Sequence, residues 1–248
     1  MLVRLCSSCC CLSLLLACGG SPASGDAKAK PDQEPAPATK APAEDPTEPA
    51  PAAKTARTWS FDDAKAGPIP AGFRVTETGS SGTPATWATV ADPTAPTAPN
   101  AFGITETKNP KATYNLALAE GTEYGDVDIS VMVKAGTGEL DQGGGPIWRV
   151  IDEDNYYIAR WNPLEKNARF YIVQSGSRSA LGKVELDLDP AAWHSLRVVS
   201  EGAVMQLFID DEPVLRVEDD THKKPGQVGL WTKADAATWF DDLSVTTP

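Results

Sequence analysis

The sequence predicts an all-β fold, a two-sheet antiparallel jelly-roll sandwich, for residues 58–248. Two observations predict it: short runs rich in β-branched and aromatic residues are broken by Gly, Pro, Asp and Asn about every eight to twelve residues, and no segment keeps a helical period for long. The predicted strands are 58–62, 73–78, 87–91, 102–107, 113–118, 126–134, 147–151, 156–161, 169–173, 183–188, 194–199, 204–209, 214–218, 227–232 and 239–246.

The first residues have the pattern of a bacterial export signal. Met1 to Arg4 give a weakly positive start, and the compact apolar run at 12–17 is far shorter than the roughly 20 residues of a permanent membrane helix. Leu15-Leu16-Ala17-Cys18 resembles a lipobox, in which the cysteine becomes the lipidated first residue of the mature protein. We therefore expect a signal peptide at 1–17, lipidation at Cys18, and an exported protein anchored to a bacterial membrane, at the outer membrane or cell surface. An ordinary secretory signal cut elsewhere is the alternative.

Residues 18–57 are expected to form a disordered tether. Beyond Cys18 this segment is rich in Pro, Ala, Lys, Asp and Glu and has no aromatic residue, so it has no apolar face to bury. Pro-rich segments are extended, and this one would hold the sandwich away from the membrane.

The net charge and the positions of the cysteines exclude some classes of binding partner and some kinds of site. The formal charge is −12 and the pI about 4.6, which argues against nucleic acid or an anionic lipid surface as the main partner. The lipid anchor would then be the only membrane contact. All five cysteines lie in the first eighteen residues, so the predicted sandwich forms neither a disulfide nor a thiolate metal site. The oligomeric state cannot be read from the sequence.

The stretch at 143–167, GGGPIWRVIDEDNYYIARWNPLEKN, predicts a β-hairpin with a short acidic turn, followed by a third strand at 169–173. Which side chains share a face depends on register. With Arg149 opposite Tyr157 and Trp161 opposite Arg169, the core face would hold Trp148, Val150, Ile158, Phe170 and Ile172. The other face would hold Arg149, Tyr157, Trp161, Arg169 and Tyr171.

That second face is the predicted carbohydrate-binding surface. Flat rings stack on sugar rings, and guanidinium groups hydrogen-bond hydroxyls or carboxylates. Near the C-terminus, Trp231 and Lys233 alternate and would extend the surface. The alternatives are ordinary cross-strand pairs on a solvated sheet and, for Trp231, a place in the core.

The segments at 193–220 (WHSLRVVSEGAVMQLFIDDEPVLRVEDD) and 226–245 (GQVGLWTKADAATWFDDLSV), together with 143–167, resemble the concanavalin A-like lectin/glucanase sandwiches. The similarity is greatest to the bacterial 3-keto-disaccharide hydrolase domain family, formerly a domain of unknown function. Glycoside hydrolase family 16 and laminin-G domains are more distant. The resemblance covers 58–247 and implies a glycan-related role; this fold hosts lectins, hydrolases and non-catalytic modules alike.

A catalytic site is not evident. Glycosidases use two carboxyl groups, which family 16 places on one strand as Glu-x-Asp-x-x-Glu, and this chain lacks that motif. The weak candidates are Asp128, in a strand where Val127 and Ile129 would point inward, and Glu165, in the loop after Trp161. The alternatives are a solvent-facing Asp128 and a Glu165 that braces its turn.

Acidic turns raise one cofactor prediction, a structural calcium ion, since carboxylates are its preferred ligands. In the resembled fold this ion lies where the first and last strands meet, which would draw on Asp62 or Asp63 and on Asp241. Solvated acidic turns are the alternative, and no other cofactor is predicted.

The function predicted from these observations is carbohydrate binding by a membrane-anchored lipoprotein. Two alternatives stay open at this point: a glycoside hydrolase acting on ordinary or 3-keto-disaccharides, and a non-catalytic protein-interaction module of the envelope.

Overall fold

A computed structural model of the chain describes residues 56–80 and 83–248. These residues form two antiparallel sheets packed face to face, and the part described contains no helix, so the all-β sandwich prediction is confirmed. The predicted signal peptide, Cys18 and nearly all of the tether lie outside the described residues. Within the described part, no helix is long and apolar enough to cross a membrane.

Fifteen strands make up the described part. In chain order they are β1 Arg57–Trp59, β2 Phe73–Thr78, β3 Thr86–Ala91, β4 Asn100–Glu106, β5 Tyr114–Ala119, β6 Val127–Ala135, β7 Gly145–Asp152, β8 Asn155–Asn162, β9 Asn167–Gln174, β10 Ser177–Glu185, β11 His194–Glu201, β12 Val204–Ile209, β13 Glu212–Glu218, β14 Gln227–Lys233 and β15 Thr238–Thr246. The largest departure from the predicted positions is β10, which begins six residues before the predicted strand at 183–188. The Gly and Ser residues of this segment are typical of a turn, so the sequence pattern does not reveal the first part of the strand.

The eight-stranded sheet has the order β13-β12-β11-β6-β15-β4-β3, with β1 paired to β15 at one end of that strand. The seven-stranded sheet has the order β10-β9-β8-β7-β14-β5-β2. Neighbours that are distant in sequence, such as β6 with β15 and β7 with β14, show that the chain crosses between the sheets repeatedly. This is the connectivity of a jelly roll.

A first hydrophobic core fills the space between the two sheets. The central strand β6 shows the pattern that produces it: Val127, Ile129, Val131 and Val133 are buried while the residues between them are partly exposed. Each such side chain contributes about 1.5–3 kcal/mol on burial. The inward orientation predicted for Val127 and Ile129 is confirmed.

A second hydrophobic cluster lies on the opposite side of the seven-stranded sheet. It consists of Tyr114, Leu116, Leu118, Ile147, Val150, Tyr156, Ile158, Tyr171, Val173 and Trp231. This face of the sheet points away from the other sheet, and it is buried because the seven-stranded sheet curls over it.

Two contacts measure that curl. Arg178 on β10 and Tyr114 on β5 are five strand positions apart, roughly 24 Å across a flat sheet. Yet the guanidinium carbon of Arg178 lies 5.2 Å from the centre of the Tyr114 ring. Likewise the Tyr156 hydroxyl on β8 lies 2.7 Å from Thr78 Oγ1 on β2. We call this inner side of the curled seven-stranded sheet the concave face.

Candidate functional site

The register of β7, β8 and β9 decides which side chains line the concave face. Trp148 pairs with Tyr157, and Ile147 with Ile158. On the other side of β8, Trp161 pairs with Ala168 and Arg160 with Arg169. The predicted register, with Arg149 opposite Tyr157 and Trp161 opposite Arg169, is wrong by one residue, and this reverses the direction of half of the predicted surface.

Strand β7 also contains an irregularity, which puts Val150 on the same side as Ile147. Pairing with β8 shifts register between Trp148 and Asp152, and Arg149 adopts a left-handed backbone conformation with φ of 48°. Few residues other than glycine take this conformation, and it breaks the simple alternation of side chains along the strand. Hydrophobic periodicity does not reveal such an irregularity.

Tyr157 and Trp161 therefore face inward, contrary to the prediction. Both are fully buried in the first core, where the Tyr157 ring stacks on Trp148 with 5.6 Å between centroids. Trp161 packs edge-on against His194 at 4.9 Å. Trp148, Phe170 and Ile172 lie in the first core as predicted, whereas Val150 and Ile158 belong to the second cluster.

Arg149 also departs from its predicted place. Its side chain is buried and donates hydrogen bonds to the backbone oxygens of Gly125, His222 and Gly202, while Nη2 lies 3.1 Å from a carboxylate oxygen of Asp126. With these partners Arg149 ties loops together instead of facing a ligand.

The remaining predicted binding residues do share the concave face. Arg169 and Tyr171 come from β9, and Trp231 and Lys233 from β14. Trp231 is fully buried in the second cluster, in agreement with the alternative of a core position, and its ring lies 5.6 Å from that of Tyr114.

Sequence reasoning missed two further residues of this face, Arg160 and Arg178. Arg160 lies on β8 and pairs with Arg169, so the observed register brings it to this face. Arg178 falls within a segment, SGSRSALG, that was not assigned to a strand.

Charged side chains gather at one end of the concave face. This charged cluster consists of Arg160, Arg169, Lys233, Asp141 and Glu165. Arg160 is its centre: its side chain is 0% exposed, with Nη2 2.8 Å from Glu165 Oε2 and Nη1 3.6 Å from Asp141 Oδ1. Lys233 Nζ donates to Asp141 Oδ2 at 2.7 Å.

The loop between β6 and β7 delivers Asp141 to this cluster. Asp235, just after β14, accepts backbone N–H groups from Glu139, Leu140 and Asp141 at 2.7–3.1 Å. Burial opposes ionisation of Asp235, but these three donors outweigh it and hold its pKa below the usual value. The loop is thus fixed by a carboxylate that stays charged.

Aromatic rings line the centre of the face, and Arg178 covers them. Its guanidinium carbon lies 4.1 Å from the centre of the Tyr171 ring and 5.6 Å from that of Trp231. Arg160 approaches the same Tyr171 ring at 5.5 Å. Two guanidinium groups therefore flank one tyrosine, an arrangement favoured by cation–π attraction.

Several guanidinium donors in this region are buried and unpaired. Within the part of the chain that the structure describes, Arg160 Nε and Nη1 and Arg178 Nη1 have no hydrogen-bond partner. An unpaired buried donor costs about 1–3 kcal/mol, and more for a charged group, so this is a site where an added acceptor would be favourable.

The two candidate catalytic carboxylates have structural partners. Asp128 lies on the outer side of the eight-stranded sheet and holds Arg197 through two bonds of 2.6 and 2.7 Å. Burial tends to raise the pKa of Glu165, but the hydrogen bond and charge of Arg160 hold it below the usual range. The backbone N–H of Glu165 also donates a hydrogen bond to Asn162 Oδ1 at 2.9 Å within its own turn. Both arrangements agree with the non-catalytic alternatives.

The residues considered for calcium are engaged in loop contacts. The first and last strands do meet, as expected, through β1 and β15. Asp241 accepts bonds from the backbone N–H groups of Thr97 and Asp242, and Asp62 accepts one from Asn100. Asp63 follows Asp62 at the surface.

Among the residues described, no three His, Cys, Asp or Glu side chains are grouped as metal ligands. Burial raises the pKa of Asp241 to about 6.

Solved structures of other proteins share the fold of this chain. No family model matches the chain, and no curated protein matches it by sequence. The carbohydrate-binding module CBM66 from Bacillus subtilis is similar in structure, with a TM-score of 0.54 and 17% identity over 68% of this chain and 94% of that one. These likenesses show a shared sandwich fold.

Two further solved structures have a similar fold. The cellulose-induced protein Cip1 matches with a TM-score of 0.56 and 12% identity over 77% of this chain and 97% of that one. A xylan β-1,4-xylosidase from Bacillus halodurans C-125 matches with a TM-score of 0.50 and 14% identity over 82% of this chain but only 40% of its own. At such identities the comparison concerns the fold and not the activity.

Proposed function

We propose that this sandwich binds carbohydrate and that the concave face is its binding surface. The observation that carries the proposal is the meeting, on one curled sheet face, of aromatic rings with guanidinium groups whose donors are unused. Stacked rings and planar donors are the two kinds of contact that a sugar requires. The structural likeness to a carbohydrate-binding module supports the proposal.

Tyr171 is the proposed stacking residue. Tyr171 is buried, and Arg178 lies over its ring at 4.1 Å. Arg178 comes from the edge strand β10, between two exposed serines, Ser177 and Ser179. Strand β10 has only β9 as a sheet neighbour. We infer that Arg178 turns outward when a sugar ring takes its place on Tyr171.

Replacing Tyr171 by alanine is expected to weaken saccharide binding at least tenfold, because the stacking ring is lost; tenfold corresponds to about 1.4 kcal/mol. Tyr171→Phe keeps the ring and should bind within about twofold of the wild type. Isothermal titration calorimetry of the full chain against an oligosaccharide panel measures both. Equal binding by wild type and Tyr171→Ala would exclude this face.

Hydrolysis of disaccharides, including 3-keto-disaccharides, rests on the family resemblance alone. A glycosidase needs one carboxyl group that keeps its proton near neutral pH, and Glu165, the carboxylate beside the rings, has a lowered pKa. We therefore propose binding without chemistry. Product release by the wild type that Glu165→Gln abolishes would establish the enzyme instead.

The lipid anchor is a separate proposal. We propose that the protein is exported and attached to a bacterial membrane through lipidated Cys18, so that the tether presents the sandwich to external glycans. Metabolic labelling with an alkyne fatty acid should mark the wild type and a Cys11→Ser control but not Cys18→Ser. Label retained in Cys18→Ser would disprove the assignment.

A further inference from the structure

We infer that the saccharide bound by the concave face is acidic, carrying a carboxylate or sulfate group. This inference rests on the proposed function and specifies its ligand class. It follows from the charge of the face, the unused donors and the route by which a ligand reaches them.

The face is locally cationic in an acidic protein. The charged cluster together with Arg178 contains four cations, Arg160, Arg169, Arg178 and Lys233, against the two carboxylates Asp141 and Glu165. The whole chain carries a formal charge of −12. Arg160 is fully buried and the other three cations are partly buried, so their excess of positive charge is only partly offset by water and a bound anion would stabilise this region.

The charge of the donors favours an oxyanion over a hydroxyl. A carboxylate or sulfate adds the attraction of opposite charges to the hydrogen bonds that a guanidinium group donates. Three buried guanidinium nitrogens make no hydrogen bond to the residues that the structure describes: Arg160 Nε, Arg160 Nη1, which lies 3.6 Å from Asp141 Oδ1, and Arg178 Nη1. Both groups lie at the Tyr171 ring, at 5.5 and 4.1 Å, so an acidic sugar that displaced Arg178 from the ring would have Arg160 beside it and the displaced Arg178 guanidinium at its edge.

Access comes from the side of the charged cluster. Arg169 is 27% exposed and Glu165 43%, whereas Arg160 is closed off behind them. The Arg169 guanidinium is held in place by Asn167 Oδ1 at 3.2 Å and faces Glu165 at 3.7 Å. A ligand thus meets a partly exposed arginine first and the buried one afterwards.

The test uses matched pairs of ligands. Oligomers of galacturonate, glucuronate and mannuronate are each compared with their own methyl esters, and sulfated galactan oligomers form a second arm that separates sulfate from carboxylate. We expect at least one acid to bind tenfold or more tightly than its neutral partner, with the preference shrinking as salt is raised from 50 to 500 mM.

Arg178→Gln should remove most of this preference because one of the two guanidinium groups is lost. Arg197→Gln, on the outer side of the other sheet, is the matched control and should leave it unchanged. Equal binding of acid and neutral partner at this face overturns the inference and leaves carbohydrate binding intact. Binding of no saccharide in either arm overturns both.

Discussion

Replacing Trp161 by alanine should lower the free energy of unfolding by about 3–5 kcal/mol, the range for truncating a large aromatic side chain in a core. The indole is fully buried between the sheets, packed against His194. Tyr157→Ala should behave similarly, and it would also leave the Asp219 carboxylate without the Tyr157 hydroxyl bond. Urea denaturation followed by circular dichroism measures the change.

A tryptophan at the surface provides the control. Trp193 is only partly buried and contacts Lys134 through its ring, so Trp193→Ala should cost about 1 kcal/mol or less. A Trp161→Ala variant that kept wild-type stability but lost saccharide binding would contradict the inward orientation and restore the surface first predicted from the sequence.

Replacing Asp141 by alanine should also cost about 3–5 kcal/mol, because it leaves buried cations without their counter-charge. Asp141 is almost fully buried and accepts hydrogen bonds from Lys233, from Asn162 at 2.6 Å and from the backbone N–H of Gln142. Its second role is electrostatic: it lies against Arg160, whose side chain has no exposure to water.

Two variants make this prediction specific. Asp128→Ala removes a comparable ion pair, with Arg197, that remains partly exposed to solvent, and should cost about 0–1 kcal/mol. Adding Lys233→Met to Asp141→Ala should recover part of the lost stability, because one of the uncompensated cations is removed. A loss for Asp141→Ala no larger than that for Asp128→Ala would show that the charged cluster does not stabilise the fold.

The fold could be predicted because its signals are local. Alternation in β6 and turn residues between short strands are visible in the sequence, and each predicted strand corresponds to one in the structure. Antiparallel strands with one apolar face must bury that face, and two sheets packed face to face are the usual way to do so.

The binding surface could not be predicted as well, for two physical reasons. Both sides of the β7-β8-β9 segment are apolar, so pattern alone does not choose between registers, and the observed one pairs Tyr157 with Trp148 and Trp161 with Ala168, all in the core. The curl that brings Arg178 beside Tyr114 joins residues at nearly opposite edges of the sheet, a relation that no local pattern encodes.

The most direct test of the account is to map a bound saccharide onto the backbone by NMR. Titration of the isotope-labelled protein with the tightest ligand of the panel should shift amides of β9, β10 and β14, around Tyr171, Arg178 and Trp231. Shifts confined to the eight-stranded sheet would contradict the concave face as the binding surface.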